Sequence, residues 1–267
     1  MTRTTTMLTA PLTCLVMAIG CSDGTGPREA PLGSAAPATT SASILVDASR
    51  DGGVWWYPQF GAFDPDGDHQ GKALADYLRS KGYRVDELGR PTPISANLLY
   101  RYALVVRAGG FGGYAADEIS AYRRYVGAGG RLLLLADHML FAPPDDLAES
   151  FGLVFAGITR GDNVLQFKSG HPITNGRGPL AYGVGSALIS IPDAAQVLGG
   201  LDSASYVDLN DNNQQDAGEP SAPPVFGAMT FGPGRIVFCG DVNLWEWDTS
   251  RDLVDSVLAW LLEGTGR

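Results

Sequence analysis

Apolar and polar positions along this chain change period several times, and each change marks an element. Leu132-Leu133-Leu134-Leu135 follows Gly129-Gly130-Arg131 and runs into Ala136-Asp137-His138. A continuous apolar run opened by a glycine turn predicts a central strand buried on both faces, as in a parallel sheet covered by helices. Ser43-Ile44-Leu45-Val46-Asp47 predicts the first strand, Tyr83–Leu88 the second and Tyr102–Arg107 the third. Between them, Leu74, Tyr77 and Leu78 share one helical face, with an Asp near the N-cap and Gly82 as the stop. Ile119, Tyr122 and Val126 mark a second helix over Ala116–Val126, and Pro143-Pro144-Asp145-Asp146 opens another. The order β-α-β-β-α-β-α belongs to an open, largely parallel α/β sheet.

From about residue 154 to 224 the pattern loosens into glycine-rich loops around short strands near Leu188–Ile191, Gln196–Leu198 and Ser205–Asp208. Regularity returns with Phe226–Phe231, the apolar strand Arg235–Asp241, and a closing helix with an apolar stripe of Leu253, Val254, Val257, Leu258 and Leu261. Thr249 with Asp252 three residues on reads as its capping box.

The first twenty residues carry one charge, Arg3, and an apolar run from Leu12 to Ile19 that suits a secretory signal better than a membrane span. That run ends Ala18-Ile19-Gly20-Cys21, a lipobox-like ending, which makes Cys21 the expected lipidation site and the first residue of the mature chain. Of three cysteines, Cys14 lies in the signal and Cys239 alone remains in the body, so no disulfide framework exists to employ Cys21. Residues 21–42, rich in Gly, Pro, Ser, Thr and Ala, read as a flexible tether, and 43–264 as the folded body. The expected location is the bacterial envelope, the outer membrane before the inner one in a Gram-negative cell. The net charge of −10 argues against nucleic acid as a partner and suits divalent cations.

Three groups of residues could carry function. Asp208, Asn210, Asn212, Asp216 and Glu219 place oxygen-bearing side chains at positions 1, 3, 5, 9 and 12 of a loop, and Gln214 at position 7 can give its carbonyl. This is the spacing of an EF-hand-type Ca²⁺ loop, with Asn213 where Gly is usual; a solvated Asx turn is the plainer alternative. His69, His138 and His171, with Asp47, Asp137 and Asp241 at strand ends, would meet at the carboxyl edge of a parallel sheet. There they could bind a transition metal or act as acid and base, or simply cap loops. Trp55, Trp56, Tyr57 and Phe60, with Trp245 and Trp247, could line the same cleft for a sugar or other ring ligand, or close it as a lid. Cys239 ends an apolar strand and reads as a core thiol.

The body resembles the class I glutamine-amidotransferase-like superfamily, and within it the bacterial DUF4350 branch. The residues carrying the resemblance are Asp47 with Gly53-Val54-Trp55-Trp56, Phe63-Asp64 with His69-Gln70-Gly71, Gly129–Leu135, His171-Pro172-Ile173-Thr174 and Gly234–Asp241. It implies a flavodoxin-like three-layer sandwich with a mostly parallel sheet. Amidotransferases of that superfamily place a nucleophilic Cys on the turn after the central strand, where this chain has Ala136-Asp137-His138. The expectation is therefore a non-catalytic ligand-binding or assembly domain of a lipid-anchored envelope protein, with a carbohydrate or envelope-protein partner and one Ca²⁺. The alternative is a metal-dependent hydrolase using His69, His138, His171, Asp137 and Asp241. An accessory subunit of an envelope transporter is a third reading.

Overall fold

The computed structural model describes residues 42–51, 55, 64–111, 113–140 and 144–264. The signal, Cys21, the tether, Trp56, Tyr57 and Phe60 lie outside the described residues. Five strands form the parallel half of a nine-stranded sheet: β1 (Ser43–Asp47), β2 (Arg84–Leu88), β3 (Leu104–Arg107), β4 (Arg131–Leu135) and, late in the chain, β13 (Gly234–Cys239). Their spatial order is β2-β1-β3-β4-β13, so the polyleucine strand pairs in parallel with a neighbour on each side.

The helices are α1 (Lys72–Ser80), the single turn α2 (Ala96–Leu99), α3 (Ala116–Gly127), α4 (Asp146–Glu149) and α5 (Arg251–Leu262). The alternation of β4 explains the layers. Leu133 and Leu135 join Val46, Val237, Leu74 of α1 and Leu253 of α5 on one face. Leu132 and Leu134 join Leu99 of α2, Tyr122 of α3, Leu147 of α4 and Phe238 on the other. At about 2 kcal/mol for each fully buried aliphatic side chain, this two-sided burial is a main source of stability. The chain is an α/β three-layer sandwich of flavodoxin-like kind.

The glycine turn into β4 is required twice over. Gly129 has φ +101°, and a Cβ on Gly130 would fall 2.6 Å from the Tyr125 ring.

The loosened region is more regular than its sequence pattern suggests. It contributes β5 (Val154–Ala156), β6 (Ile158–Arg160), β7 (Val164–Phe167), β8 (Leu180–Ala181), β9 (Ala187–Ser190), β10 (Ala195–Leu201) and β11 (Tyr206–Asp208). With β12 (Pro224–Phe231), three of these extend the main sheet in the antiparallel order β13-β12-β10-β7-β8. The other four pair off as β5-β9 and β6-β11.

Two helix starts differ from expectation. Gly71, not an Asp, caps α1, and α5 begins after Ser250, behind a 3₁₀ turn over Asp248–Ser250, with no side-chain cap. The Thr249/Asp252 box is bypassed because the 3₁₀ turn already holds the backbone there, with Ser250 N–H donating to the Trp247 carbonyl at 3.0 Å. Among the described residues no helix is long and apolar enough to cross a membrane.

Candidate functional site

Strands β4 and β13 end side by side, and the Ala136 N–H donates to the Cys239 carbonyl at 2.8 Å. Each strand hands over to an aspartate. Asp137 is 1% exposed, and its Oδ1 accepts the His138 N–H at 2.8 Å and lies 3.3 Å from the His138 Nε2. The His138 side chain is 40% exposed at the rim. Asp241 is fully buried, with Oδ1 accepting the Asn243 N–H at 2.9 Å and Oδ2 the Gly183 N–H at 2.8 Å. Gly183 has to lack a side chain, since a Cβ there would sit 2.6 Å from that carboxylate.

A third carboxyl, Glu246, follows the 3₁₀ turn Asn243–Trp245 and has one buried oxygen without a hydrogen-bond partner among the described residues. Gln70, next to His69, hydrogen-bonds to it. The three acids sense one another. Burial, then Asp241 and Asp137, pushes Glu246 up to about 9, while burial, then Asp241, pushes Asp137 up to about 8. Burial raises Asp241 to about 6 against the pull of its backbone donors. Among the described residues neither Asp137 nor Asp241 has an Arg or Lys within ion-pair distance. Near neutral pH the cluster therefore holds protonated and ionised carboxyls together, offering donors and acceptors at once.

Glu246 carries no motif in the sequence. Only the turn geometry after β13 brings it back beside Asp137.

The other expected residues are engaged elsewhere. Asp47 is fully buried, accepting hydroxyl hydrogen bonds from Tyr114 at 2.8 Å and Tyr122 at 2.5 Å and the Ser49 N–H at 2.9 Å. It binds β1 to α3. Arg107, at the end of β3, pairs in the core with Asp145 at 2.6 Å.

Trp55 is buried rather than cleft-lining. It packs on Gly71, where a Cβ would overlap the indole, and donates Nε1–H to Glu87 at 3.0 Å. His69 sits against the same Glu87 at 3.4 Å and beside the Trp55 ring. Trp245 is also fully buried and packs against Phe226.

His171 lies at the opposite edge. Its ring contacts Trp260 and senses Arg235, which opens β13. The three histidines thus do not meet. Among the described residues no three His, Cys, Asp or Glu side chains are placed to hold one metal ion. The Cys239 thiol, fully buried, is pushed up to about 12 by burial and then by Asp241, which keeps it protonated and unreactive.

The Asp208–Glu219 loop is a different donor set, in which amide oxygens count. Both oxygens of Asp208 accept backbone N–H groups, Oδ1 from Asn210 (3.1 Å) and Asp211 (2.6 Å), Oδ2 from Asn213 (2.9 Å). Asn213 adopts φ +58°, the left-handed turn normally given to Gly. Glu219 reaches back to the N–H groups of Leu209 (2.7 Å) and Asp216 (2.9 Å), and the side-chain amides of Asn210 and Asn212 meet Asp216. The Asp208 and Glu219 oxygens accept loop N–H groups, and Asn210 and Asn212 turn their amide nitrogens to Asp216, so the loop closes on itself as a network of Asx turns around oxygen-bearing side chains.

No protein-family profile matches the chain, and no curated protein does. Solved structures do share its fold. The mmIFT52 N-terminal domain is 17% identical, with TM-score 0.62, covering 84% of this chain and 98% of its own. A ThuA-like protein from Bacteroides uniformis is 13% identical, with TM-score 0.57, covering 87% and 96%. The β-galactosidase from Rahnella sp. R3 matches over 31% of its length and 82% of this chain, at 12% identity and TM-score 0.52. At these identities the likeness is one of fold alone, an α/β sandwich with a mostly parallel sheet.

Proposed function

We propose that this protein is a non-catalytic carbohydrate-binding domain of an exported, lipid-anchored envelope protein, with its site at the Asp137–Asp241–Glu246 cluster. The observation that carries the reading is the convergence of three carboxyls beside a half-exposed imidazole where β4 and β13 end, one of them with a buried oxygen that lacks a hydrogen-bond partner among the described residues. Protonated Asp137 and Glu246 donate hydrogen bonds through O–H and accept them at the carbonyl oxygen, and vicinal hydroxyls need both, while Asp241, buried with both oxygens taken by backbone N–H groups, anchors the cluster. The Cys239 thiol beside the cluster remains un-ionised, so it adds no nucleophile. The likeness to a segment of a β-galactosidase is compatible with a sugar-binding role.

Asp208, Asn210, Asn212, Asp216 and Glu219, with the Gln214 carbonyl, would hold one Ca²⁺. That ion would order the loop without taking part in ligand chemistry. A metal-assisted hydrolase is the weaker reading, because His171 is at the far edge from Asp137 and His138.

The test is calorimetric titration of the full chain with neutral oligosaccharides. Binding that is lost in Asp137→Ala/Glu246→Ala while the fold persists supports the site. Binding indifferent to both substitutions removes it.

A further inference from the structure

At the opposite end of the strands from the carboxyl cluster lies a pocket of about 170 Å³, between α5 and the β10–β12 ladder. His171 and Trp260 form one wall, Ala228 with the Met229 backbone the floor, and the exposed Gln196 and Thr230 the rim, the Met229 side chain lying in the opposite layer. The volume equals that of about five or six liquid waters. It is smaller than the roughly 300–1,000 Å³ of pockets that enclose larger ligands, so it suits a single six-membered ring.

The wall chemistry narrows the choice. The His171 Nδ1 accepts the Ile173 N–H at 3.2 Å, which leaves Nε2 as the protonated nitrogen of the neutral ring. Burial and then Arg235 hold this imidazole below its ordinary value, so the ring stays neutral at physiological pH. Arg235 stacks on Trp260 at 4.9 Å and is compensated by Glu263 at 3.0 Å. The pocket thus presents an indole, an apolar floor, an imidazole N–H, an amide and a hydroxyl, with no net charge among its lining side chains.

We infer that this pocket binds one neutral pyranose ring, with its C–H face on Trp260 and its hydroxyls toward His171, Gln196 and Thr230. The site is independent of the carboxyl cluster. An aromatic wall combined with a rim rich in both donors and acceptors matches an amphipathic ring. A purely aromatic ligand would leave the rim groups unsatisfied.

The experiment is ligand-observed saturation-transfer NMR on the full chain with D-glucose, D-galactose and D-mannose, using phenol and glucuronate as controls. At least one hexose is expected to bind with Kd on the order of a millimolar, the range open to a ligand this small, and more tightly than phenol or glucuronate. Trp260→Ala is expected to weaken it at least about tenfold. Because Trp260 also packs against Arg235, the rim variant Gln196→Ala/Thr230→Ala serves as the fold-neutral check. It should weaken binding severalfold with Tm unchanged, and by the same factor whether Asp137 and Glu246 are wild type or carry Asp137→Asn/Glu246→Gln. Absence of hexose binding, preference for phenol or glucuronate, or hexose binding that follows Asp137/Glu246 and ignores the rim would each overturn the assignment.

Discussion

Asp137 and Asp241 end up as neighbours because β4 and β13 pair in parallel and finish side by side. Each follows an apolar strand, and a parallel sheet sends such residues to one edge. The physics that distinguishes them is absent from the sequence. Asp241 is reached by Gly183 from a segment 58 positions earlier, and Asp137 gains its second carboxyl neighbour only through the turn that returns Glu246. Conversely, Asp47 looks equivalent in sequence and is consumed by two tyrosine hydroxyls of the neighbouring layer.

The raised Asp137 value has a stability consequence with a definite sign. A carboxyl whose folded pKa lies above its unfolded one contributes most below about pH 4, and that contribution is lost as pH rises through about 8. Asp137→Asn, which cannot ionise, should therefore be increasingly stabilising relative to the wild type from about pH 4 to 8, by a few kcal/mol at most, and level off above. Urea unfolding of both proteins across that range checks it. A difference that shrinks as pH rises would contradict the shared-proton cluster.

At the scale of elements, legibility followed strand length and burial. β1, β3, β4 and β13 were evident from their apolar runs, and α1, α3 and α5 from their stripes. β5 to β8 escaped because each is four residues or fewer and is fixed by distant partners, such as Val164–Phe167 against Gly199–Leu201. The α5 start was misread because a 3₁₀ turn inserts before the helix.

The Asp208–Glu219 loop shows the converse, a local spacing legible in full whose occupant is set by chemistry. If it binds Ca²⁺, a hundredfold excess over Kd adds about 2.7 kcal/mol. For a domain of this size that raises Tm by several degrees. Asp208→Ala/Glu219→Ala should abolish the calcium-dependent rise measured by differential scanning calorimetry. An unchanged rise in that variant would place the ion elsewhere.

For the whole molecule, the two proposed sites fall at opposite ends of the sheet's strands. Parallel strands deliver the three carboxyls to one edge, while the antiparallel extension built from the loosened region forms the Trp260 pocket at the other. Within that extension the sequence marks β10 and β12, near Gln196–Leu198 and Phe226–Phe231, and misses β7 and β8, whose two to four residues are too few to show a period. The lipid anchor proposed at Cys21 lies outside the described residues and is tested by substitution. Cys21→Ala should move the protein from the detergent phase to the aqueous phase of envelope extracts. Persistent detergent partitioning would mean another anchor.

The most direct measurement is the affinity for a neutral oligosaccharide as a function of pH between 6 and 10 in the full chain. Affinity should fall as pH passes through about 8 to 9, where Asp137 and Glu246 lose the protons they donate and begin to repel Asp241. A flat profile, or binding that strengthens as these groups ionise, would contradict a site built on shared protons.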